Sequence, residues 1–253
     1  MKALVTGASS GIGKEIAKLL AGEGYDLVIV ARSVDKLNDL KEEIEKANAK
    51  VTVEVVQMDL SNVENCSKLY ALYKEKISLL VNNAGFGTYG RFDESDLDTE
   101  IRLINTNISA VHVLTKLFLK DMKKSNSGQI LNVASIAGFM PGPLMAAYYA
   151  SKAYVVRLSQ SIKEELRKEK SNVKISVLCP GPVDTKFNEV AKVKFTSKPL
   201  SSEFVAKYAL KEMKKNKFYI VPGVGVRILR HISKIIPDNM MASFVYGHTK
   251  SKK

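Results

Sequence analysis

Tyr148 and Lys152 stand four positions apart, which puts both on one face of a helix, and Ser135 lies 13 positions before the tyrosine. A free phenol has a pKa near ~10 and is a poor proton donor or acceptor at neutral pH. A cation one helical turn away favours its phenolate. Ser135 could hydrogen-bond a substrate oxygen and hold it against Tyr148, so the three residues describe acid–base chemistry with neither a metal nor a covalent nucleophile. A tyrosine and a lysine at this spacing are also what a surface pair looks like. By themselves they decide little.

A second set suits phosphate. The run TGASSGIG at 6–13 places Gly7, Gly11 and Gly13 between an apolar run and a stretch of helical period. Glycines there let the backbone turn tightly and approach a pyrophosphate, whose charge is met by the free amides of the helix start. After the next apolar run come Ala31 and Arg32, where a site for NAD would carry a carboxylate for the ribose hydroxyls. The planar guanidinium of Arg32 can pair with a 2′-phosphate and stack on adenine, which points to NADP, or NADPH.

Such groups need elements to carry them. Apolar runs rich in branched residues at 2–6, 27–31, 51–58, 77–81, 128–134, 173–179 and 218–221 predict seven strands. Stretches of helical period predict helices over 13–21, 34–48, 96–124, 148–170 and 202–215, with another running from an N-cap at Ser61 to about 74. The acidic run at 93–100 fits a helix start, where carboxylates complement the dipole. Strands alternating with crossover helices describe a doubly wound α/β fold with a parallel sheet and helices on both faces.

The composition agrees. The chain has 253 residues, 45% hydrophobic and 26% charged, enough for one domain and unlike a disordered or fibrous chain. No apolar run reaches the ~18 residues of a membrane span, and the amino end lacks the form of a secretory signal, so a cytoplasmic protein is expected. Cys66 and Cys179 predict reduced, mostly buried thiols. His112, His231 and His248 show no ligand spacing, and no metal site is expected.

With these motifs in order, the sequence resembles the short-chain dehydrogenase/reductase family from Lys2 to about Val221. The resemblance implies a single Rossmann-type domain over 1–253 with strand order 3-2-1-4-5-6-7, in which 186–253 supplies the substrate loop and a basic carboxyl-terminal extension. It implies an NADPH-dependent carbonyl reductase, with hydride passing between NADP(H) and a ketone or secondary alcohol; the alternative is an NADPH-binding sensor without turnover. Ser135 would orient the carbonyl, Tyr148 would give or take the proton, and Lys152 would hold the nicotinamide ribose and lower the tyrosine pKa. Asn107, in NTNISA, would hold a water joining the lysine to solvent. Cofactor contacts would come from Gly7, Ser9, Ser10, Gly11, Ile12, Gly13, Arg32, Asp59, Leu60, Asn83, Ala84, Gly85, Tyr148, Lys152, Pro180, Gly181, Val183 and Thr185. Tyr149 is the rival tyrosine, but it stands 14 positions after Ser135 and only three before Lys152, so the family spacing selects Tyr148. A homodimer or homotetramer through the helices at 96–124 and 148–170 is implied as well.

Two regions address the substrate. Phe86, Tyr89 and Phe92, with Phe187, Val190, Val193 and Phe195, point to a carbonyl on an apolar body such as an acyl chain, or else to core and loop packing. The net charge of +13 is uneven: 15 basic against 4 acidic residues fall in 186–253, leaving 24 against 22 before them. At 223–236, Ile228, Ile232 and Ile235 mark one helical face and Arg227, Arg230 and Lys234 the other, with a further apolar piece at 240–246. That helix is either a lid or membrane-facing element, or a helix packed on the body with a solvated basic face. Nucleic acid is not an expected partner, because aromatic and basic residues are not interleaved for base stacking.

Overall fold

The computed structural model describes residues 1–185, 187 and 199–250. The chain runs β1 Lys2–Thr6, α1 Gly11–Gly22, β2 Asp26–Ala31, α2 Val34–Ala47, β3 Val53–Gln57, α3 Val63–Tyr73 and β4 Leu79–Asn82. It continues with α4 Leu97–Ile104, a π-turn Asn105–Ser109, α5 Ala110–Lys124, β5 Gln129–Val133, a 3₁₀ turn Ile136–Phe139, α6 Ala146–Lys168 and β6 Lys174–Leu178. After β7 Val183–Asp184 come β8 Leu200–Ser201, α7 Ser202–Lys214, β9 Tyr219–Ile220, α8 Val224–Ile232 and α9 Asp238–Lys250.

Seven strands form a parallel sheet in the order β3-β2-β1-β4-β5-β6-β9, the expected topology with β9 as its seventh strand. Central strands are covered on both faces, and their sequences read accordingly as near-continuous apolar runs, KALVT in β1 and DLVIVA in β2. One core lies between the sheet and α1, α2 and α7, centred on Ile16, Leu20, Leu37 and Ala206. The other lies under α3, α5 and α6, centred on Leu69, Leu114, Phe118 and Val155. Both thiols are free and buried; burial pushes Cys66 up to about 11 and Cys179 up to about 12. Among the described residues no helix is long and apolar enough to cross a membrane.

Three local expectations change, and one small sheet is new. Asn62, not Ser61, caps α3, its side chain accepting from the Glu64 amide at 3.0 Å, while the Ser61 hydroxyl and amide both turn to the Asp59 carboxylate, the amide at 2.9 Å. β4 starts two residues later than expected and runs on to Asn82, in register with Asn132 of β5. The helix expected over 96–124 is interrupted by the π-turn. The two-residue pair β7 and β8 forms a separate sheet that is too short to leave a periodic signal.

Candidate active site

The order of strands reverses between β1 and β4, and at that switch point the chain ends leaving the sheet open a crevice. Gly7 and Gly11 turn there with φ of +66° and +56°, a left-handed conformation that costs glycine little. Beneath them Gly13 faces the amide of Asn83 and, at 2.5 Å from where its Cβ would lie, the carbonyl oxygen of Gly7. The Asn83 side chain closes the loop by donating to the carbonyls of Thr6 at 3.0 Å and Gly7 at 3.1 Å. Ser10, the N-cap of α1, makes no side-chain capping bond, and the first turn holds no acidic residue, so the helix start keeps its amides for an outside anion.

From this loop a cavity of about 690 Å³ runs past the ends of the strands. Ser9, Ser10, Ile12, Arg32, Asp59 and Leu60 line one end. Burial works to raise the Asp59 carboxyl, but hydrogen bonds from Ser61 and the cations of Arg32 and Arg102 outweigh it and hold the group below its usual range. Arg32 is exposed at the rim, its carbonyl fixed by Gln57 at 3.1 Å. Ala84, Gly85, Pro180, Gly181, Val183 and Thr185 line the middle. The glycine loop, the free helix start and the length of the cavity suit a dinucleotide, whose pyrophosphate would lie on Ser9 to Ile12.

Ser135, Tyr148 and Lys152 face the centre of the same cavity. Ser135 leaves the end of β5, caps the 3₁₀ turn by accepting from the Ala137 amide at 3.2 Å, and donates to the Pro180 carbonyl at 3.4 Å. Lys152 reaches back from α6 to give a hydrogen bond to the Val133 carbonyl at 3.0 Å, with its ammonium 5.8 Å from the centre of the Tyr148 ring. Burial lowers the Lys152 pKa to about 8. Burial also pushes the Tyr148 phenol above its ordinary value, while the Ser135 hydroxyl beside it works the other way. The expected depression of that phenol by Lys152 is therefore not found: the apolar surroundings of the ring dominate, and the lysine's own charge is costly there.

Asn107 is carried in by the π-turn and is fully buried. Its carboxamide accepts from the Phe86 amide at 3.1 Å and donates to the Phe86 carbonyl at 2.9 Å and to Ser151 at 3.0 Å; Ser151 in turn donates to the Tyr148 carbonyl at 2.7 Å. Gly85 lies in the gap between them, for its Cβ would stand 2.9 Å from Asn107 Oδ1 and 3.4 Å from Lys152 Nζ. Deeper still, Asn82 donates to Asn132 at 2.8 Å and to Thr115 at 3.0 Å, and Asn132 to Ser159 at 2.9 Å, which locks β4, β5, α5 and α6 together behind the site. These buried hydrogen bonds fix the relative positions of the elements that carry them, although Asn82 Oδ1 itself has no partner among the described residues.

The far end of the cavity is apolar. Phe86 and Phe187 line it, and Tyr89 joins Met145, Tyr148, Tyr149 and Phe187 in a small cluster around the candidate tyrosine. The Phe187 ring is 5.1 Å from that of Tyr148. Phe92 points to solvent and does not belong to the site, since Arg91 and Asp93 pair beside it on the surface. Val190, Val193 and Phe195 lie outside the described residues. Sequence reasoning missed Met140, Met145, Val226, Leu229, Phe244 and Val245, which complete this end. The i, i+3 spacing of Val226 and Leu229 was the available signal. α8 packs through these two residues and Arg230, whose guanidinium lies 3.8 Å over the Tyr219 ring and 5.1 Å over Phe139. The isoleucines therefore face outward, contrary to a helix that rests its apolar side on the body.

Lys152 lends itself to a stability test. A cation held at a pKa of about 8 instead of 10.5 destabilises the fold fully below pH 8, and the cost fades as pH climbs from about 8 toward 10.5. Lys152→Met removes that cost, of about 3 kcal/mol, and loses one hydrogen bond of about 1 kcal/mol. The variant is expected to melt a few degrees higher at pH 7, with the gain shrinking at pH 9.5. A thermal midpoint that falls at pH 7 would contradict this.

A family model described as short chain dehydrogenase matches residues 1–194. The very-long-chain 3-oxoacyl-CoA reductase of Mus musculus is 33% identical over 257 residues, covering 98% of this chain and 80% of that one. Among solved structures, a short-chain dehydrogenase from Sphingobium yanoikuyae in complex with NADPH superposes with a TM-score of 0.83 at 30% identity, over 88% of each chain. One from Burkholderia phymatum in complex with NAD gives 0.81 at 27%, over 90% of this chain and 91% of that one.

Proposed function

The chain belongs to the short-chain dehydrogenase/reductase family, oxidoreductases that act on carbonyl and alcohol groups, and from that premise we propose that it is an NADPH-dependent reductase of apolar, acyl-type ketones. The observation that carries the reading is the single cavity in which the glycine loop, the Ser135, Tyr148 and Lys152 group and an apolar end follow one another. NADPH, when bound, supplies the hydride. The chain's residues do the rest. Ser135 holds the carbonyl oxygen, and Tyr148, kept protonated by its surroundings, gives that oxygen its proton. Lys152 orients the nicotinamide ribose, and Asn107 joins the lysine to the proton supply through the gap at Gly85. Arg32 takes the 2′-phosphate, Asp59 and Leu60 flank the adenine, and Gly181, Val183 and Thr185 flank the nicotinamide. Reduction of the substrate carbonyl and its reverse use the same groups.

Met140, Met145, Phe187 and Leu229 support an apolar substrate body, as does the name of the mouse relative, a 3-oxoacyl-CoA reductase. The reading includes a homodimer or homotetramer through α4 to α6, where Leu97, Ile101 and Tyr154 are exposed. The test is cofactor oxidation against 3-oxoacyl thioesters of increasing chain length, with NADPH and NADH compared. Turnover is expected with NADPH and to improve with chain length. Arg32→Asp should reverse the cofactor preference, weakening NADPH by about 10- to 100-fold, because one charge-assisted contact of about 1.5–3 kcal/mol becomes a repulsion. A wild-type chain that uses NADH equally well would overturn the NADPH assignment.

A further inference from the structure

The inward and outward sides of α8 differ in a way that its fold does not require. Val226 and Leu229 form part of the cavity wall, while Val224, Ile228, Ile232 and, in the turn that follows, Ile235 face solvent; Ile235 is 83% exposed. None of the helix's residues is fully buried. α9 repeats the arrangement, with Val245 inside and Met240 outside. Phe244 does both, lining the cavity while remaining 62% exposed, so the apolar surface reaches the cavity mouth. Isolated exposed apolar residues are ordinary, but a row along one helix continued by the next marks an interaction surface.

We propose that the outer side of α8, the turn after it and the exposed part of α9 dock on an anionic lipid surface, placing the cavity mouth against the bilayer. Charge selects this occupant. Arg227 and Lys234 are exposed beside the isoleucine row, and the sequence contains no Asp or Glu from 213 to 237. A helix with aliphatic residues along one edge and cations along the next lies in the headgroup region, its isoleucines entering the acyl boundary while the basic residues meet lipid phosphate. The nine residues of α8 are far too few to span a membrane. A second copy of the chain fits less well, because a two-fold contact would set the same cations against one another. Nucleic acid fits poorly too, since isoleucines offer bases nothing to stack on. Given the reductase reading above, on which this last step rests, an apolar-tailed substrate would pass from lipid to the cavity without crossing water.

Flotation of the full chain with phosphatidylcholine vesicles, with and without phosphatidylglycerol, tests the proposal. The wild-type chain is expected to float with the phosphatidylglycerol vesicles and to be released by salt. Ile228→Glu with Ile235→Glu should cut that recovery by about tenfold or more, and Arg227→Glu with Lys234→Glu should do so as well, each cation near the surface being worth roughly a fivefold change in binding. Neither pair lines the cavity, so circular dichroism, melting and turnover of a water-soluble ketone should match wild type. Wild-type protein left at the bottom with both vesicles overturns the proposal, as do glutamate variants that float unchanged. Sedimentation showing a wild-type dimer that the isoleucine pair dissociates overturns it in favour of a second copy. Flotation needs neither cofactor nor substrate, so its failure and the failure of the reductase reading are separately visible.

Discussion

Replacing Tyr148 by phenylalanine is expected to lower turnover by about 10²- to 10⁴-fold, the usual share of a positioned proton donor, while NADPH binding stays close to wild type. The ring can stay, because its contacts with Phe187 and Tyr149 involve carbon faces and not the hydroxyl. Only the proton is removed. The neighbouring tyrosine provides the control: Tyr149 fits against Gly142, leaving no room for a side chain there, and its substitution to phenylalanine should leave turnover within a few-fold of wild type. Stopped-flow turnover and cofactor titration of the two variants decide the matter. If Tyr149→Phe loses the activity and Tyr148→Phe keeps it, the roles must be exchanged.

Gly13→Val carries the second large effect. An added Cβ would meet the Gly7 carbonyl oxygen at 2.5 Å and the Asn83 amide, both of which belong to the loop itself. Neither can swing away like the end of a flexible side chain. The loop must open, costing about 1–3 kcal/mol of stability as other overpacked sites do, and the displaced amides should weaken NADPH binding by about 100-fold or more, as expected when two or more charge-assisted bonds of about 1.5–3 kcal/mol each are lost. Gly22→Ala, near the far end of the same helix with nothing within 4 Å, is the matched control and should be neutral or slightly stabilising. Melting curves and NADPH titrations of the pair would show this; equal behaviour of the two glycines would mean that the loop is not the tight element described.

The readable parts of the sequence were those in which chemistry and periodicity coincide. β1, its glycines and α1 follow one another without an intervening choice, and the alternation of elements announces a parallel sheet whose strand order came only with the family resemblance. Asn107 could be named but not placed, because hydrophobic period reports a helix and is blind to one extra residue within it. Asn83 lines the cavity, and its side-chain amide also holds the loop carbonyls, a role that only the folded backbone reveals. Asn62 takes the capping role expected of Ser61, whose hydroxyl turns to Asp59 instead of the helix start. The inward face of α8 stayed open for a related reason. Amphipathic spacing says that two sides differ, and it took the stacking of Arg230 on Tyr219 to fix which side turns inward.

The π-turn at Asn105–Ser109 also sets the phase of everything around it. Each residue of an α-helix advances the side-chain direction by about 100°, so one surplus residue offsets the outward row on α4, with Leu97 and Ile101, from the row that α5 buries through Val111, Leu114 and Phe118. A single rod thereby serves two surfaces that an unbroken helix could not face at once. Removing one residue there would restore regular hydrogen bonding and move Asn107 away from Phe86 and Ser151, so local regularity and the placing of that side chain pull against each other at this point in the chain.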